Sequence, residues 1–302
     1  MAFGKTSEST EGASFKKYVG VASVKVLAVN PNKTELEQLL GHSIEKEPEY
    51  LSETSDEVKA PQARIDFYVA PDPNKYLGAD NKPLETIIKV SMFIAKKYQV
   101  GATSGKAKIL DIYGRSAWAT KEEVATKAIP QYANGPANIS NNYHIAYVGE
   151  EELLSFIKTF LNVPGVDKWD NGKIVGMIDN PKDAEAGFDN IEDYFKGDFS
   201  ELKKLIALQP NNKIKILFGV KTTDENKQYQ VAYTRKFLNN RVTDYSKLDA
   251  DVKAAQDSGA YGNTVFECTD FHEYIVEATD FSNTNSADAP FAPAATDAPW
   301  GA

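Results

Sequence analysis

From Phe15 to Val29 the chain alternates at close to period two, with Tyr18, Val19, Val21, Val24, Val26 and Val29 supplying the apolar positions. A run this long and this rich in β-branched residues is predicted to be a long strand, and a strand that long needs a sheet around it. Gly20 within the run predicts a bend with a bulge. Asn30-Pro31-Asn32 ends it. Thr34–Leu40 then reads as a short helix, with Thr34 as N-cap and Gly41 as its stop. In Gln62–Val69 the residues Ala63, Ile65, Phe67 and Val69 share one face, and Thr86–Val100 is a third long strand with Phe93 read as core. Gly101–Gly105 is a turn of small residues, and Lys106–Ile112 with Arg115–Thr120 completes a meander.

The middle of the chain changes period. Glu150–Leu161 and Asn190–Leu208 carry apolar residues at helical spacing, so residues 120–209 are predicted to be a largely helical insertion. Strands return at Lys213–Val220 and Gln228–Phe237, with a turn at Asp224-Glu225-Asn226. A last strand pair is expected at Thr264–Cys268 and Glu273–Ala278. The fold class is therefore mainly β (α+β), a small antiparallel barrel or sandwich over residues 13–279. It is expected to lie between a disordered lead-in, 1–12, and a flexible tail, 280–302, whose Ser, Asn, Ala, Pro and Asp cannot bury a core.

Charge is distributed unevenly. The net charge is −9, yet beyond Lys253 there is no basic residue and there are eight acidic ones, so the body is close to neutral. Within that body, residues 86–121 hold Lys89, Lys96, Lys97, Lys106, Lys108, Arg115 and Lys121 against the single acid Asp111, interleaved with Phe93, Tyr98, Tyr113 and Trp118. Residues 213–241 repeat the pattern with Arg235 and Lys236 among the cations and Tyr229 and Tyr233 among the rings. Lys16, Lys17 and Tyr18 open the first strand in the same way. Cations that follow phosphates, beside rings that stack on any base, are what sequence-independent binding of single strands requires.

Other chemistries find little support. Gly4-Lys5-Thr6 and Gly101–Lys106 both miss the spacing of a phosphate-binding loop, and Ala107 stands where Mg²⁺ needs a hydroxyl. Cys268 and His272 have no second pair to complete a metal site, so neither metal nor cofactor is expected. No triad or catalytic carboxylate pair is marked, and the expectation is a non-enzyme. Two competitors stay open, a virion structural or assembly protein and a Mg²⁺-dependent nuclease. There is no eighteen-residue apolar run and no signal-peptide pattern near Met1, which predicts a cytoplasmic protein without membrane contact.

The tail carries a repeat, Asp288-Ala-Pro290-Phe291 and Asp297-Ala-Pro299-Trp300. Exposed aromatics held extended by proline, next to carboxylates, suit insertion into a partner's apolar, basic-rimmed pocket. Together with Phe15–Val24, Ile112–Trp118, Ile191–Phe199 and Pro210–Phe218, these features resemble the single-stranded DNA-binding proteins of tailed, crAss-like bacteriophages. The tail differs from the usual pattern of such proteins in that Gly301 and Ala302 follow Trp300. The resemblance implies an OB-like barrel that coats and protects single-stranded DNA in replication, recombination and repair. It implies too that the tail recruits replication or recombination proteins, and for a phage-encoded chain it places the protein in the host cytoplasm. Self-association into a homo-oligomer stays open.

Overall fold

The computed structural model of the chain describes residues 16–78, 81–111, 116–126, 143–161, 169–170, 173–174 and 191–274. In chain order its first half comprises β1 (Tyr18–Val29), α1 (Lys33–Leu40), β2 (Leu51–Glu53), β3 (Pro61–Pro71), β4 (Ile88–Tyr98), β5 (Ala107–Asp111), β6 (Ser116–Ala119), α2 (Lys121–Thr126), β7 (Tyr143–Ile145) and β8 (Tyr147–Val148). The second half comprises α3 (Glu150–Phe160), β9 (Trp169–Asp170), β10 (Lys173–Ile174), α4 (Ile191–Tyr194), α5 (Ser200–Leu208), β11 (Lys213–Thr222), β12 (Gln228–Ala232), β13 (Leu238–Asn239), α6 (Ser246–Asp257), β14 (Thr264–Phe266) and β15 (His272–Glu273). The protein is mainly β, and all strand-to-strand ladders among the described residues are antiparallel.

The principal sheet runs β12-β11-β1-β3-β4-β8, and β12 curls round to touch β4, so the sheet forms a half-barrel. Period two dictates its lining. Ala63, Ile65, Phe67 and Val69 of β3 point inward with Val90, Met92 and Ile94 of β4 and Ile214, Ile216 and Phe218 of β11. Into this concave face pack Leu153, Phe156, Ile157 and Phe160 of α3 and Leu202, Leu205 and Ile206 of α5. The ring of Phe156 lies 3.9 Å from that of Phe67. The outer face is covered in two places. Leu248, Val252 and Ala255 of α6 cover Val21 and Leu217, while Leu36 and Leu40 of α1 cover Tyr68 and Ile87. Covering on both faces is why Tyr18–Val24 is buried without interruption, where strict alternation would expose every second residue.

Within residues 120–209 the helices read at Glu150–Leu161 and Asn190–Leu208 are met by α3 and by α4 with α5, but the described residues also hold β7–β10, and α3 is built into the core. β7 pairs with β5, β8 pairs with β4, and α3 fills the barrel. The Asn190–Leu208 periodicity is split into α4 and α5 by a turn at Gly197. Four further details are corrected. The register shift in β1 falls between Val26 and Ala28, not at Gly20. Gly20 has φ 102° because the backbone of Asp270–Phe271 passes 2.6 Å from where a Cβ would stand. The cap of α1 is Asn32, two residues before the expected Thr34: its side chain accepts from Glu35 N–H, and the Glu35 carboxylate accepts from Asn32 N–H, each at 2.9 Å. Finally, β14 and β15 do not pair with each other; they join β11 and β1 respectively, and β12 stops at Ala232 instead of reaching Phe237.

Gly149 is the tightest joint among the described glycines. At φ 85° it turns β8 into α3, and a Cβ there would lie 1.8 Å from the Phe93 carbonyl oxygen. Gly149→Ala is expected to destabilise the chain by more than about 2 kcal/mol, since the left-handed backbone alone costs alanine about 1–2 kcal/mol. A urea midpoint equal to that of the unmodified chain would contradict this placement of α3.

Candidate nucleic-acid interface

The sequence-selected residues divide among several surfaces, and one of them gathers most of the chemistry. It is the rim where β4 hands over to β5 through the Gly101–Gly105 turn. Three backbone bonds fasten it: Gln99 N–H donates to Ala146 O, Ala146 N–H to Lys108 O and Lys108 N–H to Gln99 O, each at 2.8 Å. These lock the three-stranded sheet β6-β5-β7 onto the end of the large sheet. On this rim stand Tyr98, 56% exposed, and Trp118, 38% exposed, and Val100 is exposed as well. Tyr98 stacks at 5.2 Å on Tyr147, which is met edge-on by Phe195 at 5.4 Å. The Lys108 ammonium lies 5.6 Å over the Trp118 ring, and the Lys96 ammonium 5.7 Å over that of Phe195. Lys106 flanks the turn, and Lys97 follows Lys96 on β4.

The start of α3 holds this rim in place. Glu150 is buried and accepts from Tyr147 N–H at 2.8 Å and from the His144 ring. Glu151 accepts from Lys108 and from the Ser116 hydroxyl. Burial pushes the Glu152 carboxyl above the usual range, while Arg235 and a hydrogen bond from Thr234 pull it down. Three consecutive carboxylates thus tie β7, the β5–β6 pair and the segment after β12 to one helix terminus, where acidic groups also suit the helix dipole.

Elsewhere the outcome is mixed. Tyr229 is exposed on β12, beside Gln230, which bonds both the N–H and the carbonyl of Tyr18. Lys16 pairs with Glu273 at 2.9 Å, and burial lowers the affinity of the Lys17 amine for its proton. Lys89 lies on the outer face opposite Tyr68. Arg235 sits 5.9 Å over the Tyr261 ring. Two residues expected to stack on bases cannot do so. Tyr18 is 5% exposed and stacks on Phe271, and Tyr233 is 2% exposed, closed in by α6 with its hydroxyl on Asp251 O. Tyr18 lies on a strand covered on both faces, and Tyr233, one residue past the end of β12, is buried beneath α6. Tyr113, Arg115 and the tail residues Asp288, Pro290, Phe291, Asp297, Pro299 and Trp300 lie outside the described residues.

Phe93 is a correction in the other direction. Read as core, it is 46% exposed on the outer face of β4, because it alternates out of phase with Val90, Met92 and Ile94. Its parity was the signal that could have shown this. Beside it on β3, Arg64 lies 5.7 Å over Tyr50 and 3.2 Å from buried Asp66.

Most candidate phosphate ligands are already engaged. Lys96 bonds Glu192 at 2.7 Å, Lys97 bonds Asp56, Lys108 bonds Glu151, and Lys236 bonds Asp251. Glu192 also accepts from the Tyr147 hydroxyl, and its hydrogen bond from Lys96 holds its carboxyl below the ordinary range. A separate cleft of about 590 Å³ between α1, α5 and β1 is lined by Leu27, Leu39 and Ile206 and crossed by the Lys203–Glu35 pair. Among the described residues, no three His, Cys, Asp or Glu side chains converge to hold a metal ion, and no helix is long and apolar enough to cross a membrane. No family model, curated protein or solved structure matches the chain.

Proposed function

We propose that this protein binds single-stranded DNA without sequence preference and without catalysis, through the rim formed by Lys96, Tyr98, Lys108 and Trp118. The observation that carries the reading is the pairing on one rigid rim of exposed aromatic faces with lysine ammonium groups. An open ring stacks on any base, and a flanking ammonium meets the phosphate one bond network away. The rim presents exposed rings, as a continuous strand passing over it requires.

Strand order supports reading the half-barrel as OB-like. Strands β4-β3-β1-β11-β12 lie side by side in that order, with β12 returning to β4, and α3 lies between β4 and β11 in sequence. This order supports a five-stranded Greek-key barrel of the kind that commonly holds oligonucleotides. The protein serves DNA replication, recombination or repair by coating exposed strands, and its acidic, aromatic-tipped tail recruits the proteins that act on them.

Ultraviolet crosslinking of oligo-dT followed by mass spectrometry of the peptides tests the location. Adducts are expected on the peptides that carry Tyr98 and Trp118. Adducts confined to the peptide carrying Tyr229 would move the interface to β12.

A further inference from the structure

Three lysines of the rim each face a carboxylate from a different part of the chain. Asp56 comes from the loop between β2 and β3, Glu151 from the first turn of α3 and Glu192 from α4. All three carboxylates are solvent-accessible, with side-chain exposures of 61%, 41% and 48%. The backbones of two of them are held elsewhere. Ile191 and Tyr194 bury α4 on both sides of Glu192, and Leu153 and Leu154 bury α3 next to Glu151. These two carboxylates can therefore swing off their lysines without moving the helices that carry them, and Asp56 stands in an exposed loop.

We propose that Asp56, Glu151 and Glu192 occupy the positions that three DNA phosphates take, so that the rim is electrostatically closed by its own side chains until a strand displaces them. This inference rests on the rim being the single-strand interface. A carboxylate oxygen on a lysine ammonium is a stand-in for a phosphate oxygen in both charge and hydrogen-bonding geometry. At Lys96 the mimicry extends to the base: Glu192 supplies the anion while Phe195, three residues on, lies against the ring of Tyr147.

The consequence is a muted salt dependence. A phosphate that binds a free lysine releases a condensed cation, and each such contact on a single strand contributes a slope of about −0.7 in log K against log salt. A phosphate that must first displace a carboxylate gains little, because the freed carboxylate takes up a cation in return. The closed rim also disfavours casual binding of other polyanions, since each competitor has to make the same three exchanges. Exposed ion pairs of this kind are individually weak, so a strand that gains stacking on Tyr98 and Trp118 as well can open all three.

The test is a triple variant, Asp56→Asn, Glu151→Gln and Glu192→Gln, which keeps an acceptor oxygen at each position, including the one facing the Tyr147 hydroxyl. Its control, Glu45→Gln, Glu49→Gln and Asp257→Asn, makes the same change in net charge at exposed sites away from the rim. Binding of labelled oligo-dT is followed by anisotropy as salt is raised. The triple variant is expected to bind about tenfold or more tightly at low salt, with a slope steeper by about two, while the control follows the unmodified chain. If the unmodified chain binds and the triple variant matches it in affinity and slope, the pairs are ordinary surface ion pairs and the inference is overturned. Equal tightening in the control and the triple variant also overturns it, by showing a net-charge effect. Binding by none of the three chains overturns the interface itself, and this inference with it.

Discussion

Removing both rings of the rim, Tyr98→Ala with Trp118→Ala, is expected to weaken binding to oligo-dT by at least about twenty-five-fold. Stacking on one aromatic side chain contributes about 1–3 kcal/mol, so each ring alone accounts for about five- to 150-fold. Neither substitution removes a charge, so the salt slope should stay where it was while the whole line drops. The melting temperature should fall only slightly for Tyr98, whose ring is more than half exposed. Trp118 also covers the stem of Lys108, so its loss is expected to cost somewhat more. Tyr229→Ala is the informative comparison, because Tyr229 is equally open but sits on β12. A loss for Tyr229→Ala that matches the rim's double variant would mean that the strand passes over β12 as well.

The second large effect lies in the core. Phe156 is fully buried, 3.9 Å from Phe67 and edge-on to Phe237 at 5.1 Å, so it joins α3 to β3 and to the chain after β12. Phe156→Ala is expected to cost about 3–5 kcal/mol, the lost transfer energy plus the cavity left behind. For a body of this size that is about 6–20 °C in melting temperature. The single transition should move as one, because α3 shares its core with the sheet. A variant in which one transition shifts and a second stays fixed would show that residues 120–209 fold as a unit of their own, contrary to the packing of α3.

The long strands were legible because the period-two rule works wherever a strand has one buried face: β3 and β4 appear close to where their alternation put them. The rule misled at the centre of the sheet. Tyr18 and Tyr233 carry the same composition signal as Tyr98, but Phe271 covers Tyr18, and α6 with Phe266 covers Tyr233. Nothing local to either tyrosine announces that cover. α6 itself has a readable spacing in Leu248, Val252 and Ala255, but too few apolar residues around it to stand out from a polar loop. β7 and β8 span three and two residues, shorter than any periodicity can resolve. Phe93 shows the opposite failure, in which residue type was weighed above parity.

The electrostatics of the rim were half legible. Counting cations against acids within residues 86–121 singled out Lys96, Lys97 and Lys108, which stand on the successive strands β4 and β5. The same count could not find their partners. Asp56, Glu151 and Glu192 are 41, 43 and 96 residues away in the chain, brought in by folding alone. A local excess of lysine is thus a statement about sequence neighbours, whereas the field a strand of DNA meets is set by spatial ones.

Anisotropy of labelled oligo-dT, against a duplex of matched length and over a salt series, bears most directly on the proposal that this protein binds single strands. The expected result is binding to oligo-dT that weakens as salt rises and that exceeds binding to the duplex, whose bases are stacked on each other and closed to Tyr98 and Trp118. Equal affinity for both, or no binding to either at low salt, would contradict single-strand recognition by the rim.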